Sequence, residues 1–556
     1  MPPSVNMVID SLHAKGFEAY AVGGCVRDTI LAREPDDWDI TTSASPQQVK
    51  EIFDRTVDTG LEHGTVTVLA GSGAHEVTTY RIDGEYEDGR HPKEVVFTSS
   101  LAEDLRRRDF TINAMAYNNE EGLVDLFDGI RDLQRKVIRC VGNPTERFSE
   151  DALRILRALR FSAQLGFKLD PATLDAIIAL APTLEKISAE RIRVELNKLL
   201  ISKRPEYMEA VYEAGITKIV LPEFDELMKT PQNNPHHCYN VGEHTIAALQ
   251  HVPADPILRW TMLLHDIAKP ACRTTDEAGI DHFKGHAPAG EKMAKAILRR
   301  LKFDNETIRQ VAALIRWHDC RMAPEKPVIR RILNKLGPEL FEKLMIVQEA
   351  DTMAKSLYQR EKTLERIGKV RECVREILDN GDCFTLKTLA VSGKDLMEFG
   401  VPKGPKIGEC LNAALEEVMK DPAKNTKEYL TDPCTLTLPE GLTTIGSYAF
   451  RNKVIVEVML PTTVKKLNKN TFEKTQSDVI TKVYVTSKEQ YEDSKNFPEG
   501  TGHKLYLKDD SVWTADDFTY GEESFGLWPA DDYHSTKNFT VHVVTGFSDQ
   551  GKEKIK

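Results

Sequence analysis

No apolar run in these 556 residues reaches the length of a membrane-spanning helix, and residues 1–10 lack the basic and apolar regions of a signal peptide. The expectation is a cytoplasmic protein with no membrane partner. Paired C-x-x-C cysteines are also missing. The nine cysteines are odd in number and scattered, which suggests a reducing compartment rather than a disulfide scaffold or a zinc ribbon. Nor is there an excess of positive charge, the formal net charge being −12. That balance speaks mildly against nucleic acid as a partner. Net charge is a poor guide where cations cluster, however, and here they cluster at Arg106-Arg107-Arg108 and at Arg154, Arg157 and Arg160.

What is present divides by periodicity. Residues 1–140 alternate short apolar strands (19–22, 65–70, 76–80, 95–98) with helical stretches, which predicts a mixed α/β domain. A Gly- and charge-rich segment at 83–92 reads as a loop. Residues 141–430 repeat apolar side chains at three- and four-residue spacing, as in Leu153, Leu156, Leu159 and Ile192, Leu196, Leu199, and predict an all-α region. Pro- and Asn-rich punctuation at 230–235 divides it. After Tyr429 the character changes again. Leu438-Pro439 to Ile445, followed by Ala449-Phe450, is echoed 22 residues later by Leu460-Pro461 to Leu467, followed by Thr471-Phe472. That offset is a solenoid period. A β-rich stretch then runs to residue 556.

The chemistry concentrates in three places. In the first, Asp37 and Asp39 form a D-x-D just after Gly23-Gly24-Cys25-Val26-Arg27-Asp28. Along a strand both carboxylates would face one way while Trp38 and Ile40 turned into the core. Two adjacent carboxylates repel unless a cation lies between them, and a hard divalent ion suits them. The glycines let backbone approach a triphosphate. In the second, Arg107-Arg108-Asp109-Phe110-Thr111-Ile112-Asn113 offers arginines for phosphate oxygens, with Asp109 and Asn113 for ribose hydroxyls. In the third, Glu150-Asp151-Ala152-Leu153-Arg154 is predicted to open a helix with Asp151 and Arg154 on one face. Asp accepts and Arg donates, matching the amino donor and ring-nitrogen acceptor that cytosine and adenine share. Uracil and guanine present the reverse order and would leave buried groups unpaired.

Taken with Ala189-Glu190-Arg191-Ile192, these runs resemble, in order and spacing, the bacterial and eukaryotic class of CCA-adding tRNA nucleotidyltransferases over roughly residues 15–430. The resemblance implies a polymerase-beta-like α/β nucleotidyltransferase head at 1–140, followed by all-α neck, body and tail. It implies that C, C and A are added without a template from CTP and ATP to the tRNA 3′ end. Asp37 and Asp39 would hold two Mg2+ ions. Gly23, Gly24, Arg27 and Arg108 would meet the triphosphate, Asp109 and Asn113 the ribose, Asp151 and Arg154 the base, and Arg157 the base or the triphosphate. Glu76 is a candidate third carboxylate. The 83–92 segment matches the loop associated with switching from C to A, which favours a full CCA enzyme over a CC-only one.

Downstream, His237, His265-Asp266, His286, His318 and Asp351 resemble an HD phosphohydrolase domain, expected at 231–360 between a neck and body at 141–230 and a tail at 361–430. The resemblance implies His237, His265, Asp266 and Asp351 around a divalent transition metal or Mg2+, with His286 and His318 as extra or second-metal ligands. The repeats at 431–556 resemble BspA-type leucine-rich repeats, a fusion or chimera on such an enzyme. Two alternatives remain: a poly(A) polymerase of the same superfamily, and a repeat-mediated binding protein with a decayed transferase.

Overall fold

Alternation in 65–70 becomes a strand with Val66, Val68 and Ala70 buried, and the next strand, 73–79, buries His75, Val77 and Thr79 by the same rule. Strands β1 (Ala19–Val22), β2 (Ile40–Thr42), β3 (Thr56–Gly60), β4 (Thr65–Ala70), β5 (Gly73–Thr79), β6 (Arg81–Asp83), β7 (Val95–Phe97), β8 (Met115–Asn118) and β9 (Gly122–Asp125) carry the amino-terminal region. Seven of them form one sheet in the order β3-β4-β5-β2-β1-β8-β9, while β6 and β7 pair separately. The sheet is antiparallel except where β2 runs parallel to β5, Ile40 beside Val77. Helix α1 (Pro3–His13) buries Val5, Val8, Ile9 and Leu12, an apolar stripe at helical spacing.

The computed structural model describes residues 1–71, 73–83, 95–398 and 403–431, together with eight strand segments between 435 and 547. It forms two compact units, Met1–Glu376 and Ile377–Lys556. In the first unit a continuous apolar core runs from Val5 to Ala354, through sheet and helices alike. The expected loop residues 84–92 lie outside the described residues.

One local expectation is corrected. Asp37 and Asp39 precede the strand instead of lying along it: β2 starts at Ile40, and Trp38 is only half-buried. Pro35 lacks an N–H for the ladder, and the short carboxylates that follow favour turn backbone. Pairing nonetheless reaches the second aspartate, whose carbonyl accepts the Val22 N–H at 3.0 Å.

Helices α2 (Gly24–Ile30) and α3 (Leu101–Arg106) pack among the strands, and the helical region contains α4 (Pro144–Glu150), α5 (Leu153–Leu165), α6 (Ala189–Leu200), α7 (Val241–Leu249), α8 (Pro256–Leu264), α9 (His286–Arg300), α10 (Asn305–Trp317) and α11 (Pro338–Met353), with further short helices between them. Side-chain caps start the helices that matter below. Asn240 and Glu243 form a reciprocal capping box at α7, and Asp255 and Asp304 accept N–H bonds at the starts of α8 and α10.

In the second unit, strands at 435–437, 457–459, 482–485 and 504–507 pair in parallel. Leu436 stands beside Val458, Val458 beside Val483, and Val483 beside Leu505, steps of 22, 25 and 22 residues. Thr444 likewise pairs with Lys466, again 22 residues on. The other residues of the expected repeats, at 438–443, 449–450, 460–465 and 471–472, lie outside the described residues.

Candidate active site and histidine cluster

The turn after β1 is shaped by what passes over it. Gly23 has φ +83°, and a Cβ there would meet Nη1 of Arg108 at 3.0 Å, so glycine serves the turn and makes room for that guanidinium. Arg108 also faces Asp39. Burial and the neighbouring Asp37 raise the Asp39 carboxyl to about 6, Arg108 opposes the rise, and Glu76 adds to it. The parallel register sets Ile40 beside Val77, and the residues just before them, Asp39 and Glu76, feel each other's charge. Three groups, Asp39 just before β2, Glu76 on β5 and Arg108 in the α3–β8 connection, thus meet at one end of the sheet. The Nε of Arg108 is buried there without a hydrogen-bond partner.

Next to it runs a linear chain of bonds. Arg27 Nη1 donates to Asn113 Oδ1 at 2.6 Å, Asn113 Nδ2 to Asp109 Oδ1 at 3.1 Å, and Arg157 Nε and Nη2 to Asp109 Oδ2 at 2.8 and 2.5 Å. Burial works against ionising Asp109, but Arg157 and Asn113 outweigh it and hold the carboxyl far below its usual range. The guanidiniums of Arg27, Arg157 and Arg160 all lie over the Phe161 ring, 5.0, 5.5 and 4.0 Å from its centroid.

Asp151 and Arg154 differ from the expected helix-face pair. α4 ends at Glu150, α5 begins at Leu153, and Asp151 sits in the break with extended backbone. Its Oδ1 accepts the Leu153 N–H at 3.0 Å, and its Oδ2 accepts from Arg191 Nη2 at 2.8 Å. An aspartate that caps the following helix cannot also belong to its first turn, so the same-face argument fails. Arg154 donates to Glu150 at 2.6 Å and to the carbonyls of Arg147 and Arg107 at 3.1 and 3.0 Å. Each residue is oriented by its own partners. Arg191 and Glu150 emerge as their supports.

The histidines converge from separate helices. His244 on α7, His265 just after α8, Asp266 and Asp351 on α11 meet in the buried interior: His244 Nε2 lies 2.9 Å from Asp351 Oδ1 and 3.4 Å from His265 Nε2, which is 3.1 Å from Asp266 Oδ2. On the other side of Asp266, His286 Nε2 and His318 Nε2 are 3.2 Å apart, and each is 3.6 Å from Asp266 Oδ1. The two trios whose ligand atoms lie within 4.8 Å of one another, among the described residues, are His244-His265-Asp266 and Asp266-His286-His318. The Nδ1 atoms of His265, His286 and His318 point at the carbonyls of Met262, Phe283 and Ile315 at 2.7–2.8 Å, and that of His244 at Ala354 at 3.4 Å. With each Nδ1 facing a backbone carbonyl, every Nε2 is turned inward toward the carboxylates of Asp266 and Asp351, the arrangement that suits a cation. Lys269 shares Asp266 Oδ2 with His265, at 2.7 Å, and Lys355 takes the second oxygen of Asp351, Oδ2, at 2.5 Å.

His237, expected as the first ligand, is instead a neighbour of the cluster, with its ring centroid 5.1 Å from that of His244. Burial and Lys269 push it down to about 2. His244 stands in a trio with His265 and Asp266 that could hold a metal ion. The signal was in the sequence: Val241, His244 and Ala248 share the buried face of a capped helix, whereas His237 falls in the irregular stretch before it.

Three family descriptions match along the chain: the poly A polymerase head domain at 19–139, a probable RNA- and SrmB-binding site of polymerase A at 166–228, and a putative tRNA nucleotidyltransferase domain 2 at 277–433. CCA-adding enzymes of Levilactobacillus brevis and Streptococcus suis are 35% and 54% identical to the chain, over 77% and 76% of it and over 96% and 94% of their own lengths. The chain belongs to the CCA-adding enzymes. The crystal structure of the Bacillus stearothermophilus CCA-adding enzyme in complex with CTP superposes with a TM-score of 0.59 at 31% identity, covering 77% of this chain and 96% of that one. In this CCA-adding enzyme the head description spans Gly23 to Asn113 and hence the carboxylate end of the sheet. Asp151 and Arg154 fall between the first two matched segments, and His244, His265 and Asp266 between the last two. No helix among the described residues is long and apolar enough to cross a membrane.

Proposed function

We propose that this CCA-adding enzyme, which joins C, C and A to the 3′ end of tRNA from CTP and ATP, carries out every transfer at the Asp37/Asp39 end of its sheet. The 3′-hydroxyl oxygen of the tRNA attacks the α-phosphorus, and pyrophosphate leaves. Asp37 and Asp39, with Glu76 beside Asp39, are the residues that would hold two Mg2+ ions, which when bound supply charge for the phosphate oxygens and acidify the attacking hydroxyl. Arg108 and Arg27 bind the triphosphate, while Asp109 and Asn113 bind the ribose. Arg157 supports Asp109, and Asp151 and Arg154 choose the base. The observation that carries this reading is Arg108: a buried guanidinium nitrogen without an acceptor, between Gly23 and Asp39, lacks the anionic oxygen a triphosphate brings. CTP and ATP offered in turn to tRNA ending before CCA test it. Two C and then one A are expected, and a long A tract would instead identify a poly(A) polymerase.

The histidine cluster supports a second reading, a metal-dependent phosphohydrolase of HD type. His244, His265, Asp266 and Asp351 would hold one divalent ion, and His286 and His318 with Asp266 a second, supplying an activated water and polarising a phosphate ester. Four Nε2 atoms turned toward two buried carboxylates, two of them only 3.2 Å apart, support it. Replacing His265 and Asp266 with Ala should abolish metal-dependent phosphatase activity and spare CCA addition; undiminished hydrolysis would remove the reading. The parallel strands stepping by 22 residues support BspA-type repeats in the second unit. A cytoplasmic location fits a tRNA substrate.

A further inference from the structure

One fully buried carboxylate in the head takes no part in the chemistry above. Asp104, 0% exposed, lies on α3, whose first turn is capped by Ser100. Its Oδ1 accepts Arg107 Nε and Nη2 at 2.9 and 2.7 Å. Its Oδ2 accepts Thr41 Oγ1 at 3.1 Å and Arg108 Nη2 at 3.4 Å. Burying a carboxylate is costly unless it is paired, and this one is paired with both arginines of the R-R-D run.

Each partner leads to a different part of the transfer site. Thr41 lies on β2, two residues after Asp39. Arg108 is the guanidinium over Gly23 that faces Asp39. The backbone carbonyl of Arg107 accepts Arg154 Nη2 at 3.0 Å and so seats the base-reading arginine. One side chain therefore joins the metal-bearing strand, the triphosphate arginine and the rest of Arg154. An arginine on a flexible stem loses entropy when it is fixed on a ligand, and a carboxylate that holds it beforehand removes part of that cost.

We propose that Asp104 is a positioning residue for nucleotidyl transfer, holding Arg108 on the triphosphate side and, through Arg107, Arg154 on the base side in fixed register with the catalytic strand. It rests on the reading of Arg108 as a triphosphate ligand. The full-length enzyme is assayed for CTP addition to tRNA ending before CCA and for ATP addition to tRNA ending in CC, with UTP as the wrong substrate. Asp104→Asn is expected to raise KM for CTP and ATP about tenfold, the scale of one lost charge-assisted hydrogen bond, and to raise UTP use relative to CTP. A purely structural role would lower only the active fraction, and so kcat, with KM and the UTP-to-CTP ratio unchanged.

Combining the change with Arg108→Ala separates the two readings. Where Arg108→Ala alone raises KM and the double variant raises it no further, Asp104 acts through Arg108. Where the two KM effects multiply in full, the proposal is overturned while Arg108 keeps its role. A wild-type KM in Arg108→Ala overturns both. Thr41→Val removes a single partner of Asp104 with little change of shape and guards against a misfolded Asp104→Asn. It is expected to move KM the same way by roughly two- to fivefold, and a folded Thr41→Val with wild-type KM and base ratio overturns the proposal.

Discussion

At Asp39 the structure makes a single carboxylate sensitive to pH. Burial and Asp37 lift its pKa from 3.8 to about 6, so ionising it costs more in the folded chain than in the unfolded one. A raised acid pKa means that stability is full below the unfolded value and declines as pH rises toward the folded one. In metal-free protein, Asp39→Asn should therefore melt higher than the wild type above about pH 6 and lose that advantage near pH 4, and added Mg2+ should raise the wild type selectively. Melting curves at the two pH values, with and without Mg2+, check it. In the histidine cluster the decisive residue is His244. Its replacement by Ala should lower metal content as far as His265→Ala does, by about 10-fold or more, whereas His237→Ala should leave most of the metal in place. Metal analysis after dialysis distinguishes them, and equal losses from all three would return His237 to the ligand set.

The break between α4 and α5 shows how an element boundary creates a site. Asp151 is fixed from both sides, by the Leu153 N–H it caps and by Arg191 from α6. Asp151→Asn keeps an oxygen for the cap but loses the charge facing Arg191. Its melting should shift little, while wrong-nucleotide addition rises. Asp151→Ala removes the cap as well and should cost about 1 kcal/mol in addition, read from denaturant unfolding. If Asp151→Asn keeps full base selectivity, the residue serves only the helix start. From sequence, helical spacing placed Asp151 and Arg154 on one face, but that spacing cannot show that a helix stops and restarts between Glu150 and Leu153. Short apolar strands such as Ala19–Val22 and Thr65–Ala70 were legible because alternation is a local property. The start of β2 was not, because Pro35 and three aspartates around Trp38 obscure it.

Over the whole chain, composition and motif order point to the head at one end and repeats at the other. The curated relatives match about three quarters of it, and the family descriptions end at residue 433. A chain ending after Tyr429 should keep CCA addition within about twofold of the full chain, since large losses come from named contacts and the transfer-site residues all lie within Met1–Glu376. Incorporation of CTP and ATP by the two forms is the measurement, and a large loss would make the segment after Tyr429 integral to the enzyme.

By itself the sequence determined the chemistry available: paired carboxylates, a glycine turn, arginine runs, spaced histidines and a 22-residue echo, all properties of residues close in the chain. Only the tertiary structure decided which of them meet. It gave Asp151 to Arg191 and the Arg107 carbonyl to Arg154, and brought Asp104 from one helix to Thr41 on another element. Those choices depend on which helix faces pack together across long stretches of chain, and local spacing carries no record of that packing.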